Sequence, residues 1–251
     1  MPRSSSRKSG STQSAHLHNQ VALVTGSTRG IGLAIARALA AEGCNLIVTG
    51  RDEKALGRIE KELNAAKTRV LARPCDVRDP KSVGDLFHAT RQKFNRIDIL
   101  INNAGIAHAN LTVEKMPLQL WRDVIDTNLT GMFLITQSAL GLMPRGGTIV
   151  NNLSVVANRV FAGSSAYIAS KHGGLGLTNT LREELRPRGI RVIALLPGAT
   201  ETDIWNSFWP DAPRKKMMSP ATIAAAVVSA ILLPPNATVE TLEILPTVGL
   251  L

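Results

Sequence analysis

From residue 21 onward, short apolar runs alternate with amphipathic stretches that have a helical period. Seven apolar runs predict strands at Val21 to Thr25, Asn45 to Thr49, Arg69 to Arg73, Ile97 to Asn102, Gly147 to Leu153, Ile190 to Leu195 and Thr241 to Leu245. Helical patterns begin near Gly30, Asp52, Pro80, Pro117, Ser165 and Ser219. Apolar strands separated by helices are typical of a buried parallel sheet built from right-handed βαβ units. The pattern predicts an α/β, doubly wound fold with a central, mostly parallel sheet of about seven strands flanked by helices.

The first residues differ in composition from the rest. They are rich in Ser, contain Arg3, Arg7 and Lys8, and have neither an acidic residue nor an apolar core. This composition predicts a flexible basic tail over residues 1–19 and excludes a secretory signal, with an organelle-targeting segment as the alternative. No repeat or long linker divides residues 20–251, which are predicted to form a single Rossmann-type catalytic domain.

The net charge of +10 at pH 7 raises the question of nucleic-acid binding. Beyond residue 20 the chain carries 26 basic and 19 acidic side chains, a net charge of +7. The longest basic run is only Arg214-Lys215-Lys216, and aromatic residues make up 4% of the chain. Stacking platforms for single strands are therefore lacking, and an anionic cofactor is the better interpretation.

Other classes of protein are excluded by simple features. No stretch reaches the roughly 18 to 20 apolar residues of a membrane helix, and Ala221 to Leu233 comes nearest. Cys44 and Cys75, the two cysteines, have neither metal-ligand spacing nor a disulfide framework. We expect a cytoplasmic protein without a metal or a membrane partner.

A glycine-rich segment directly follows the first predicted strand and precedes a helix. Glycine permits a tight turn and close approach of phosphate, and a helix N-terminus offers free N–H groups. This position after a first strand predicts a dinucleotide site, which an isolated glycine pattern would not. Its candidate contacts are Gly26, Thr28, Arg29, Gly30, Ile31 and Gly32.

The end of the second strand discriminates between NAD(H) and NADP(H). A carboxylate there would bind the 2′-hydroxyl of the adenosine ribose, but this chain has Arg51 instead, with Arg29 in the glycine turn. Two guanidinium groups favour NADP(H), because arginine forms paired hydrogen bonds with phosphate. Solvated surface arginines are the alternative.

The next two strands end in further candidate contacts. Asp76, followed by Val77, is a candidate acceptor for the adenine amino group, since ligands of such folds gather at the carboxyl ends of the strands. Small residues after the fourth strand, Asn103, Ala104 and Gly105, would let a cofactor cross the sheet edge, although a simple turn has the same composition.

The only tyrosine, Tyr167, lies four residues before Lys171, so the two share one face of a helix. A free tyrosine titrates at about 10, and a nearby cation favours the phenolate. The pair predicts a proton donor whose pKa the lysine lowers. An ordinary amphipathic helix is the alternative.

Together, the glycine turn, Asn102-Asn-Ala-Gly105 and Tyr167-x-x-x-Lys171 resemble the short-chain dehydrogenase/reductase family, and within it the 3-oxoacyl-(acyl carrier protein) reductases. By this resemblance the catalytic residues are Asn128, Ser154, Tyr167 and Lys171, and Pro197, Gly198 and Thr202 cover the nicotinamide. The resemblance implies reversible hydride transfer to a carbonyl. Tyr167 would protonate the oxygen, Ser154 would stabilise its charge, Lys171 would hold the ribose and Asn128 would position a water.

The resemblance also implies a substrate lid near residues 199–218. Trp205, Phe208 and Trp209 in this lid, with Phe161, either pack against a core or line a pocket for an apolar substrate. The usual Asp-Gly-Gly near the C-terminus is missing. We still expect a homodimer or homotetramer through residues 117–140 and 165–186.

Substrate identity stays open at this stage. Arg145 and Arg188 resemble positions that contact acyl carrier protein, but solvated surface charge is the more common explanation. The sequence predicts an NADPH-dependent carbonyl reductase, with a 3-oxoacyl thioester as one candidate substrate. The alternatives are a dehydrogenase of another alcohol, steroid or sugar, and a catalytically silent cofactor-binding regulator.

Overall fold

The computed structural model describes residues 17–64 and 68–250. Their seven strands form one parallel sheet in the order β3-β2-β1-β4-β5-β6-β7. The prediction of a doubly wound, Rossmann-type sheet is confirmed. The strands are β1 (Val21–Thr25), β2 (Asn45–Gly50), β3 (Val70–Pro74), β4 (Ile99–Asn102), β5 (Thr148–Asn152), β6 (Arg191–Pro197) and β7 (Thr241–Ile244).

Helices connect successive strands and cover both faces of the sheet. They are α1 (Gly30–Ala41), α2 (Glu53–Asn64), α3 (Pro80–Lys93), α4 (Leu118–Ile125), α5 (Gly131–Leu140), α6 (Ser165–Leu185), α7 (Trp205–Phe208) and α8 (Pro220–Ile231). The helical pattern that begins near Pro117 contains two helices, because a π-helical turn at Asp126–Thr130 separates α4 from α5.

The apolar runs reflect burial of the strands on both faces. In β1, Ala22 and Val24 pack into one core cluster with α1 and α8, whereas Val21 and Leu23 pack into another with α3 and α5. A strand that is covered on both sides needs apolar residues at every position, which explains the absence of alternation.

The last residues of the predicted tail, 17–19, are among the described residues. Leu17 is only 4% exposed and packs in the first core cluster, and its carbonyl accepts a hydrogen bond from Gln20 N at 3.0 Å. Residues 17–19 therefore belong to the folded domain and not to the tail, because burial of Leu17 stabilises the start of β1. The rest of the predicted tail, residues 1–16, lies outside the described residues.

The strand order fixes where a ligand can bind. From β1 the chain moves outward to β2 and β3, then returns to the other side of β1 to place β4. This reversal opens a crevice at the carboxyl ends of β1 and β4. No described helix is long and apolar enough to cross a membrane. Within the described ranges, no three His, Cys, Asp or Glu side chains cluster as metal ligands would.

Candidate active site

A cavity of about 870 Å³ opens at this crevice. The predicted site residues that line it are Gly26, Thr28, Arg29, Gly30, Ile31, Arg51, Asp76, Val77, Asn103, Ala104, Gly105, Ser154, Tyr167, Lys171, Pro197, Gly198 and Thr202. Gly32 and Asn128 are not among the lining residues. The structure thus brings together nearly all the predicted residues, which come from seven separate stretches of the sequence.

The glycine turn has the backbone of a phosphate-binding loop. Gly26 and Gly30 have φ values of +61° and +56°, which glycine adopts readily. A Cβ at Gly26 would lie 2.9 Å from Ala104 Cα. Arg29, at the N-cap of α1, makes no capping hydrogen bond through its side chain, so the helix N-terminus keeps donors for an anion.

Gly32 is required for packing behind the cavity wall. A Cβ at this position would overlap the Asn103 amide and lie 2.5 Å from Gly26 O. Because Gly32 has no Cβ, the Asn103 side chain has room to donate hydrogen bonds to Thr25 O at 2.9 Å and Gly26 O at 3.1 Å. The structure gives Gly32 this supporting role, and its direct contact with a cofactor stays a prediction.

The two arginines predicted to recognise a phosphate differ in their surroundings. Arg29 lies 3.5 Å from Asp203 of the segment after β6, and both side chains are largely exposed. Arg51 directly follows β2, is exposed and lines the cavity. Arg51 is therefore the better placed of the two for an added phosphate.

Asp76 is held by an arginine that sequence reasoning did not identify. Arg78 donates to both Asp76 oxygens, with distances of 2.7 Å from Nη2 and 3.0 Å from Nε, and lies 3.1 Å from Asp123. The hydrogen bond from Arg78 lowers the pKa of Asp76 below its usual value. The carboxylate is thus fixed in its charged form beside the cavity, and its contact with adenine stays a prediction.

Tyr167 and Lys171 lie on adjacent turns of α6, as predicted, but the pKa effect differs from the expectation. Burial raises the pKa of Tyr167 to about 12, and the hydrogen bond with Ser154 opposes this shift. Tyr167 as a whole residue is half-buried, so part of it still contacts solvent. Lys171 Nζ lies 5.5 Å from the centre of the tyrosine ring and instead donates to Asn152 O at 3.0 Å. The predicted lowering by the lysine is therefore not observed.

Burial also changes Lys171. The side chain is 5% exposed, and its pKa is lowered to about 8 by desolvation. A lysine with this pKa is still mostly protonated at pH 7 and loses its charge only as the pH rises through about 8.

Asn128 lies in the π-helical turn, and its buried side chain forms three hydrogen bonds. The Oδ1 atom accepts from Ile106 N at 2.8 Å, and Nδ2 donates to Ile106 O at 2.9 Å and Ser170 Oγ at 3.0 Å. These contacts join the loop after β4 to α6. The structure gives this side chain a positioning role, while its predicted part in a water relay stays a prediction.

Asn152, which sequence reasoning overlooked, connects the lysine to the glycine turn. Its main-chain oxygen accepts from Lys171, and its side-chain Nδ2 donates to Asn103 Oδ1 at 2.8 Å. Asn103 in turn holds the carbonyls of Thr25 and Gly26. The signal was present in the sequence, since Asn151-Asn152 is a polar pair at the end of a buried apolar strand.

We expect Asn152→Leu to raise the KM for the nicotinamide cofactor by about three- to tenfold, with a smaller effect on kcat. The variant keeps the carbonyl that binds Lys171 but loses one net hydrogen bond, worth about 0.5–1.5 kcal/mol. Steady-state kinetics would measure the change. Asn158→Leu, an exposed position in the following turn, is the matched control. If the cofactor KM of Asn152→Leu is unchanged, Asn152 does not support cofactor binding by connecting Lys171 to the glycine turn.

The segment at 199–218 is closed at its base. Glu201 N donates to Met218 O at 2.9 Å, and Met218 N donates to Ala199 O at 3.0 Å. The segment contains α7, and its aromatic residues Trp205, Phe208 and Trp209 line the cavity, as does Phe161. Of the two interpretations of these aromatics, the structure supports the one in which they line a pocket.

The arginines considered for carrier-protein contact lie elsewhere. Arg145 precedes β5 and Arg188 precedes β6, whereas Ser154 follows β5. The two arginines therefore lie at the amino-terminal ends of the strands, opposite the end that carries the cavity. Arg145 donates to Pro187 O at 2.6 Å, and Arg188 donates to Met143 O at 2.7 Å. These hydrogen bonds join the loops before β5 and β6, so both arginines have a structural role within the chain.

Comparison with known proteins agrees with the site. The family model described as short chain dehydrogenase matches residues 20–213. The chain belongs to the short-chain dehydrogenase family. The protein is therefore an oxidoreductase, and the resemblance seen in the sequence is confirmed.

Individual relatives carry different activities in their names. A 3-oxoacyl-(acyl-carrier-protein) reductase of Synechocystis sp. is 42% identical over 188 residues, covering 74% of this chain and 76% of the relative. A 3beta-hydroxysteroid dehydrogenase of Mediterraneibacter gnavus is 37% identical over 186 residues, covering 74% and 67%. A variant of actinorhodin polyketide ketoreductase, solved with NADPH, has a TM-score of 0.81 and 34% identity, covering 92% of this chain and 97% of that chain.

The match to the short-chain dehydrogenase family stops inside the lid. Residues 214–251 contain the end of the lid, α8, β7 and the C-terminal turn. Part of the cavity wall is therefore built by a stretch that the family model does not cover.

Proposed function

We propose that this protein is an NADPH-dependent reductase that converts a carbonyl to an alcohol by reversible hydride transfer. The observation that carries the proposal is the convergence of Tyr167, Ser154 and Lys171 with the glycine turn in one cavity. The uncapped start of α1 and the glycines that keep the turn open fit a dinucleotide. When bound, the nicotinamide supplies the hydride.

The chain's own residues handle the proton and the charge on oxygen. With a pKa of about 12, the Tyr167 phenol keeps its proton at neutral pH and can give it to an oxygen that becomes negative. Ser154 offers a second hydrogen bond to this oxygen. In the reverse direction the phenolate would accept the proton of the alcohol, as reversible transfer requires.

We expect Arg51→Ala to lower kcat/KM for NADPH by about 10- to 100-fold and to leave the value for NADH nearly unchanged. The guanidinium would bind the phosphate that only NADPH carries, and a charged hydrogen bond contributes about 1.5–3 kcal/mol. Steady-state kinetics with both cofactors would measure this change. Arg29→Ala is the matched comparison and should cost less, because Arg29 faces Asp203. An equal loss with NADH would contradict the assignment.

The substrate that we favour is a 3-oxoacyl thioester, supported by the similarity to the Synechocystis reductase. A steroid or another alcohol is the alternative, because the Mediterraneibacter relative is named for one. The complete set of Asn128, Ser154, Tyr167 and Lys171 disfavours a silent regulator. NADPH oxidation against a panel of ketones, aldehydes, steroids and 3-oxoacyl thioesters tests the proposal, and a protein that binds NADPH but reduces none of them would contradict it.

We also propose self-association as a homodimer or homotetramer in the cytoplasm. Leu118 and Trp121 on α4 and Phe133 on α5 are large apolar side chains exposed by 61%, 36% and 44%. Exposed apolar side chains on neighbouring helices suit an interface between copies. Use of an acyl carrier protein has less support, since Arg145 and Arg188 are engaged within the chain.

A further inference from the structure

A second, smaller cavity of about 180 Å³ lies at the amino-terminal ends of the strands, opposite the candidate active site. Its wall is formed by the end of α6, the turn after α6, the start of β6 and the loop before β7. Three arginines line this second cavity, Arg182, Arg186 and Arg191, against one acidic residue, Glu240. The lining therefore carries an excess of positive charge.

Arg191, the first residue of β6, is half-buried and donates only to uncharged groups. Its acceptors are Ile231 O at 2.8 Å, Leu233 O at 3.1 Å and Thr148 Oγ1 at 3.0 Å. Since α8 ends at Ile231, these bonds satisfy carbonyls at the end of that helix. Burial lowers the pKa of Arg191, and no neighbouring acid opposes this effect. The structure gives the guanidinium hydrogen bonds but no counter-charge.

Arg182, near the end of α6, has similar surroundings. It donates to Val192 O at 2.9 Å, to Asn179 Oδ1 at 2.6 Å and to Glu240 O, all of them uncharged acceptors. Its pKa is also lowered by burial, and the more distant carboxylates of Glu240 and Glu183 only reduce this shift. A second half-buried cation at this cavity thus lacks a carboxylate partner among the described residues.

Arg186 adds an exposed charge from the turn after α6. It forms an ion pair with Glu183 at 2.6 Å, using Nε and Nη2. An arginine has five N–H donors, so each of the three arginines keeps at least two donors that these contacts do not use. The arginines reach the cavity from three separate elements. Donors from several directions suit a tetrahedral phosphate better than a planar carboxylate.

We propose that the second cavity binds a phosphate group, either inorganic phosphate or the end of a small phosphate monoester. Arg182 and Arg191 would supply the half-buried charge, and Arg186 would bind the anion from the exposed side. The phosphate would provide the counter-charge that two half-buried cations lack. This site is independent of the proposed reductase function, because it lies at the other end of the strands.

The test follows the Tm of the full-length protein in millimolar sodium phosphate, glycerol 3-phosphate or sodium acetate, with ionic strength held constant by sodium chloride. Low concentrations keep the general stabilising effect of phosphate salts small. At ten times its Kd, phosphate or its monoester should raise the Tm by about 3–6 °C along a saturating curve. Acetate should not raise it. The tighter of the two phosphate ligands indicates whether the site takes the free anion or an ester.

Arg186→Gln is the decisive variant, because its side chain is exposed and the fold does not depend on it. It should raise the Kd for phosphate by about tenfold, as loss of a charged hydrogen bond does. Arg191→Gln should have a larger effect, but it also removes hydrogen bonds at the end of α8. Arg58→Gln is the matched control for net charge, since Arg58 is an exposed residue of α2 that lines neither cavity.

The candidate active site offers phosphate another place to bind, so Arg51→Ala is measured in the same way. A Kd that is raised in Arg186→Gln and unchanged in Arg51→Ala and Arg58→Gln supports the second cavity. The reverse pattern would place the phosphate at the cofactor end and overturn the proposal. A Tm rise that acetate reproduces, or no saturable rise with either phosphate compound, would also overturn it. None of these readouts depends on reductase activity.

Discussion

Tyr167→Phe should lower the kcat for carbonyl reduction by about 10²- to 10⁴-fold. This is the range in which a positioned general acid contributes to catalysis. Only the hydroxyl is removed, so the ring that packs 6.3 Å from Phe208 and the path of α6 are kept. Single-turnover rates at saturating NADPH would measure the loss, and the Kd for NADPH should stay within a few-fold of its value in the unchanged protein.

The same variant gives a direct measurement of the pKa. Because Tyr167 is the only tyrosine, the phenolate absorbance of the folded protein reports this group alone, and the Phe variant provides the blank. Burial predicts a titration near pH 12, well above that of free tyrosine. A midpoint below 10 would show that the lysine dominates over burial, and a variant that keeps most of its activity would remove Tyr167 from the mechanism.

The sequence alone predicts the features that depend on hydrophobic periodicity and on the order of motifs along the chain. All seven strands overlap the predicted apolar runs. A strand buried on both faces, such as β1, carries a continuous apolar signal, whereas β7 was found although its residues are half-buried or exposed. The glycine turn and the Tyr167–Lys171 spacing were equally accessible, since each is local. The turn at Asp126–Thr130 was not, because a π-helical insertion leaves the helical composition unchanged and alters only the hydrogen-bond register.

Features that depend on tertiary contacts could not be predicted from local patterns. The role of Asn152 requires β5, the loop after β4 and α6 to meet. The C-terminal segment packs directly on Gly198, and Leu250 of this segment lines the cavity. The pKa of Tyr167 was predicted in the wrong direction because sequence spacing indicates a neighbouring charge but not the burial of either group, and here burial has the larger effect.

Lys171→Met should abolish most of the activity and, at the same time, change how stability depends on pH. The resemblance implies that Lys171 holds the cofactor. We therefore expect kcat/KM to fall by at least about 100-fold, which is the effect of losing a charged group that binds the reacting complex. In the folded protein the pKa of Lys171 is about 8, below its ordinary value of 10.5. Folding therefore disfavours the charged form of this side chain.

The sign of the stability effect follows from proton binding. Between about pH 8 and pH 10.5 the unfolded chain keeps a proton on Lys171 that the folded protein has lost, so this group makes stability rise with pH in that window. Below about pH 8, Lys171 is charged in both states, and the full cost of burying its charge destabilises the folded protein. Replacement by methionine removes the cost, so the stability of the variant relative to the unchanged protein should fall by about 2–3 kcal/mol from about pH 7 to about pH 10. Denaturant unfolding at both pH values measures this difference, with Lys81→Met, whose side chain is 84% exposed, as the control. Equal pH dependence in the Lys171 variant and the unchanged protein would show that Lys171 titrates normally, and a buried cation would then have to be stabilised by contacts other than Asn152 O.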